Sequence, residues 1–143
     1  MNIGKLHVVL VHFPIALAFA AGLAEALWWW TRRDSFRQTG LYCLVLAALG
    51  AIPTVLTGLA PAEHGELTGD YVRIATVHRN WAITALVSSI LAAGLGLWRG
   101  PRLTGRWLTA YWVLMAALLA SITFAGHYGG VLVHGKDFLS NIF

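Results

Sequence analysis

Four long apolar runs separated by short polar breaks organise the chain, at residues 7–30, 40–60, 75–98 and 107–127. At 1.5 Å per residue, a helix over each run is long enough to cross a hydrocarbon layer about 30 Å thick. The two breaks richest in charge read TRRDSFR (31–37) and RGPRLTGR (99–106). The pattern predicts an all-α membrane protein: one domain over 1–143, built as a four-transmembrane-helix bundle with a C-terminal tail at 128–143. Pro14 leaves the Leu10 carbonyl without its helical donor, so a kink or a fresh helix start is expected there. Pro53 does the same to the Leu49 carbonyl, with Thr54 and Thr57 near enough to compensate. Small residues recur every four positions, as Ala16, Ala20 and Ala24, as Gly50, Thr54 and Gly58, and as Ser88, Ala92 and Gly96. Such stripes let helix backbones approach closely in lipid, or leave room for a flat ligand.

Composition strengthens this reading: 58% of residues are hydrophobic and 11% charged, with a mean hydropathy of +0.68. The net charge of +4 does not indicate nucleic acid. Six of the ten basic residues, Arg32, Arg33, Arg37, Arg99, Arg102 and Arg106, flank one membrane face. The other face carries Lys5, Arg73, Arg79 and Lys136, offset by Glu63, Glu66, Asp70 and Asp137. By the positive-inside rule the arginine loops are cytoplasmic, and both termini lie on the periplasmic side of a bacterial inner membrane. Trp28, Trp29, Trp30, Trp98 and Trp107 form an aromatic belt at the arginine side, while Tyr71 and Trp81 mark the other. A cleavable signal at AFAAGLAEA is disfavoured, because three arginines follow the run and only Lys5 precedes it. Cys43 is alone and there is no C-x-x-C-H, so any haem is b-type, held by side chains. Glu25 is the one acid deep in an apolar run. Snorkelling or a bond to a neighbouring helix is the ordinary reading, and proton uptake from the cytoplasm the sharper one. No nucleophile with a base, phosphate loop or pair of catalytic carboxylates is evident, so a stand-alone enzyme is not indicated.

All six histidines fall on the periplasmic side. Counted from the cytoplasmic tryptophans, His12, His78 and His127 lie 18, 20 and 20 residues away, or about 27, 30 and 30 Å. Three helices thus bring a histidine to one level, His7 lies further out, and His64 and His134 belong to loop and tail. A lone histidine at such a boundary is ordinarily bonded to a carbonyl or water. Six on one face point instead to a ligand, since ionisable groups in a bundle tend to mark function and imidazole binds haem iron, zinc and copper. Zinc favours carboxylate or thiolate company and tetrahedral closure, whereas haem b requires two axial imidazoles and an apolar slot. One or two haems b are therefore expected, with zinc or copper as the alternative. His12 and His78, on diagonal helices, are the axial pair. His127 either serves a second haem with His7, His64 or His134 or contacts the propionates of the first, and Arg79 and Asn80 are placed for propionates.

The stretches VHFPIAL (11–17), H-R-N (78–80) and GHYGGVLVHGKDFL (126–139) resemble the membrane-protein family catalogued as domain of unknown function 2231, over essentially the whole chain. The resemblance implies a four-helix unit, in some members joined to or encoded near c-type cytochromes. It also implies a periplasmic-face redox or haem site on His12, His78 and His127, with His134 as a fourth. The chain departs from the family pattern at Val8, where proline is usual after the first histidine, and at His134-Gly135, which follows the Gly-Gly-x-Leu-Val run directly. The reading is a haem b electron-transfer protein or redox-complex subunit that meets a c-type cytochrome or another redox membrane complex. The alternative is a structural or assembly subunit whose histidines bind zinc or copper or only hydrogen-bond. Self-association into a homo-oligomer is left open.

Overall fold

The computed structural model describes residues 3–59 and 69–135, and the apolar runs in them are helical. The helices are α1 (Ile3–Leu10), α2 (His12–Thr31), α3 (Asp34–Gly58), α4 (Asp70–Arg99) and α5 (Gly105–His134), with a 3-10 turn at Gly100–Arg102. No strand occurs among the described residues. Among the described residues four spans are long and apolar enough to cross a membrane, the first being most of α1 and all of α2 taken together, Leu6–Thr31. Phe13, Phe19, Leu23, Leu46, Leu91 and Val113 point outward, as expected where the surrounding solvent is lipid. The chain is a multi-pass membrane protein.

The helices run further than the apolar runs. Only Arg32 and Arg33 separate α2 from α3, and Arg32 closes α2 in the left-handed region at φ 56, its N–H donating to the Trp28 carbonyl at 2.8 Å. At the other extreme, α5 continues through the glycine pair Gly129-Gly130 to His134, where the sequence suggests a tail from 128. Each helical glycine costs about 1 kcal/mol relative to alanine. Leaving backbone groups unpaired in hydrocarbon costs several, so the helix persists.

Pro14 acts as expected. The break between α1 and α2 falls at Val11, whose N–H still reaches the His7 carbonyl at 3.0 Å, so α2 starts afresh while the hydrogen-bond ladder carries on across the break. Pro53 lies inside α3 without ending it. The threonine compensation takes another form: Thr54 Oγ1 donates to the Gly50 carbonyl at 2.8 Å, and Thr57 Oγ1 to the carbonyls of Pro53 and Thr54.

The packing is that of two antiparallel hairpins, α2 on α3 and α4 on α5, joined along α3 and α4; α1 lies against α3, and the side between α2 and α5 is sparsely packed. The core is made of small residues with a few large ones, Ala18, Ala21, Ala47, Ala92, Leu44 and Tyr111 among them. Ser88, Ala92 and Gly96 are buried as a stripe. Ala16 and Ala20 are exposed, and the buried face of the first span instead follows Pro14, Ala18, Ala21, Glu25 and Trp28. Arg37 of α3 donates to the Leu103 carbonyl at 3.1 Å, which ties the first turn of α3 to the connection between α4 and α5. The arginine-rich breaks therefore share one end of the bundle, and His7 and His78 meet at the other.

Candidate functional site

Extended backwards at the same spacing, the buried face of the first span passes through Val11 to His7, which is half-buried. His7 is carried by α1 against α3, where its Nδ1 donates to the Thr54 carbonyl at 2.8 Å. The imidazole lies over Gly58, where a Cβ would come within 2.7 Å of it. From α4, half-buried His78 makes the matching contact, its Nδ1 donating to the Ala125 carbonyl of α5 at 2.8 Å beside the bare backbone of Gly129. Carbonyl oxygen only accepts, so both Nδ1 atoms carry the proton. In a neutral ring that leaves the lone pair on Nε2.

The two rings stand 6.4 Å apart between centroids and perpendicular to each other. Both line a cavity of about 90 Å³ whose walls are almost wholly apolar, with Ala18, Ala47, Ala82 and Ala85 leaving the space beneath them. Two imidazoles bound to opposite sides of one metal, at about 2 Å per bond, separate their centroids by roughly 6 Å. A backbone carbonyl on the other ring nitrogen is the partner that usually orients a ligating histidine.

The remaining predicted site residues lie elsewhere. His12 is exposed: five residues past His7 it is turned about 140° round the helix, so the diagonal arrangement brings His78 to His7 and not to His12. His127 is exposed, its ring edge-on to Tyr128 at 5.3 Å, and His134 is exposed at the last turn of α5. Arg79 and Asn80 are exposed on α4 next to His78. His64 lies outside the described residues. Among the described residues no three His, Cys, Asp or Glu side chains gather to hold a metal ion.

Residue counting and the diagonal placement of the helices bring His12 level with His78, but neither takes account of rotation about the helix. The signal that finds His7 is the phase of the buried face, 7-11-14-18-21-25-28. Thr54 and Ala125 act through main-chain carbonyls, which no side-chain pattern reveals.

A family model described as "Predicted membrane protein (DUF2231)" matches residues 5–137. No curated protein and no solved structure matches the chain.

Proposed function

The chain belongs to the DUF2231 family of predicted membrane proteins, and from that premise we propose that it is a haem b-binding electron-transfer subunit of a bacterial inner membrane. The observation that carries the reading is the pair His7 and His78, with Nδ1 atoms tied to carbonyls and rings 6.4 Å apart and perpendicular. Zinc takes four protein or water ligands and usually enlists carboxylate or thiolate, whereas haem brings four nitrogens of its own and asks the protein for two. Two imidazoles without further ligands among the described residues suit the second better. The apolar walls suit a porphyrin as well, although about 90 Å³ holds only part of one. The rest of the ring would need the loosely packed side between α2 and α5. When bound, haem supplies a one-electron couple. The protein's share is to fix both imidazoles in one tautomer and keep water from the apolar slot. With the arginine turns cytoplasmic, the site faces the periplasm, where a c-type cytochrome or another redox complex is the natural partner.

A second reading rests on the same hydrogen bonds. His7 ties α1 to α3 and His78 ties α4 to α5, which by itself makes them structural staples. An optical spectrum separates the two. Protein purified from haem-replete cells is expected to show a Soret band, a reduced-minus-oxidised α band and extractable, non-covalent haem. His7→Ala and His78→Ala each abolish the six-coordinate low-spin signal, while His12→Ala and His127→Ala retain it. Folded but colourless protein, or an unchanged spectrum in both the His7 and His78 variants, overturns the haem assignment.

A further inference from the structure

A second cavity, of about 330 Å³, opens between the hairpins at the arginine-rich end, with Glu25, Asp34, Arg37, Gln38 and Tyr111 in its walls. Unlike the histidine cavity, its lining is substantially polar. Glu25 is only 6% exposed. The Tyr111 hydroxyl donates to its Oε1 at 3.2 Å, and its Oε2 has no hydrogen-bond partner among the described residues. The Trp112 indole interacts with the carboxyl group without completing a bond to that second oxygen.

The cation beside Glu25 is engaged elsewhere. Arg37 of α3 acts on Glu25 electrostatically, but its guanidinium donates to the Leu103 carbonyl and lies 4.3 Å over the Trp28 ring. Asp34, Gln38 and Tyr111 complete the polar surroundings. Gly40 brings the α3 backbone close to this part of α2: an added Cβ would stand 3.3 Å from the Ala24 Cβ and 3.5 Å from Oε1.

A buried carboxyl oxygen without a partner is costly whether the group is charged or neutral: charged it lacks a donor, protonated it lacks an acceptor. The cavity has room for several waters, each of which occupies about 30 Å³ in the liquid. We propose that Glu25 is a proton-exchange site at the floor of a hydrated cavity, loading and releasing its proton at the arginine-rich end of the bundle. An O–H bond of a hydronium ion in the cavity breaks, an O–H bond to the Glu25 carboxylate forms, and water is left; release is the reverse. The assignment is independent of what His7 and His78 bind.

The test is infrared difference spectroscopy of the full-length protein in lipid nanodiscs, titrated with acid and exchanged into D₂O. A protonated-carboxyl stretch is expected that disappears in Glu25→Gln and moves to lower frequency within seconds of D₂O exchange. Tyr111→Phe keeps the carboxyl group and removes its hydrogen bond, so the band stays but shifts. Gln38→Trp, which fills the cavity, slows the exchange at least tenfold. A pH difference spectrum unchanged by Glu25→Gln overturns the proposal, as does a Glu25 band that resists deuteration or exchanges at the same rate in Gln38→Trp. If Glu25→Gln fails to fold, the Tyr111→Phe shift and the Gln38→Trp rate decide the matter.

Discussion

A Cβ at Gly129 would stand 3.1 Å from Cε1 and 3.3 Å from Nδ1 of His78, while one at Gly126, a turn earlier on α5, meets nothing within 4 Å. The same residue type thus does different things three positions apart. Gly129→Ala is expected to push the imidazole off the Ala125 carbonyl and to destabilise the bundle by about 1–3 kcal/mol, the usual effect of overpacking. Gly126→Ala should be neutral or stabilising by up to about 1 kcal/mol, because alanine is the better helix former. Unfolding in mixed micelles, followed by tryptophan fluorescence, checks both; equal effects would show that Gly129 makes no room for His78. At this scale the sequence is only partly legible. His78, and the small residues Ala82 and Ala85 beneath it, follow from spacing. His7 appears in the primary structure as one histidine of six, and only its place on a buried helical face, 140° from His12, sets it apart. Glu25 stands out as an acid in an apolar run, but its Tyr111 partner is 86 residues away, and nothing local announces it.

The break at Val11 sets α1 off as a short lever on the first span, and a proline at this place is the usual cause of a bend. Its eight residues reach about 12 Å, and the His7–Thr54 hydrogen bond holds its free length against α3. Pro14→Ala returns a donor to the Leu10 carbonyl and should straighten the span. Removing a bend of about 20° moves the tip of α1 by roughly 4 Å. Spin labels at the exposed positions Val8 and Leu56, in a background lacking Cys43, report the change as a longer distance with a broader distribution; an unaltered distance means that packing and not Pro14 sets the bend. Hydropathy places the helices and does not place their ends. Polar residues such as Asp34, Ser35 and Arg37 close the apolar pattern, yet they are helical, because helical hydrogen bonding does not stop where the hydrocarbon does. The glycine pair in α5 reads as a boundary in the sequence and is none in the fold, because local propensity is overridden where the alternative is unpaired backbone.

Taken whole, the molecule has two unlike ends, one with paired imidazoles over an apolar slot, the other with a buried carboxyl group below a polar cavity. The clustering of the six arginines at one end is legible from the sequence alone, because alternation of spans forces the first and third turns together. The looseness between α2 and α5 is not, since it depends on which helices happen to interlock. That looseness, with the close contact inside each hairpin, also bears on how the protein is made. A hairpin enters and leaves the bilayer on one side, so α1–α3 and α4–α5 are each complete units of insertion. The first half can be threaded into the membrane and settled before the second emerges from the ribosome, with the α3–α4 contact and the sparse α2–α5 one left to form. Biogenesis should then survive severing the chain: residues 1–63 and 64–143, synthesised as separate polypeptides in one cell, are expected to co-purify through a tag on either. Recovery of each fragment alone would mean that the bundle needs its connection to assemble.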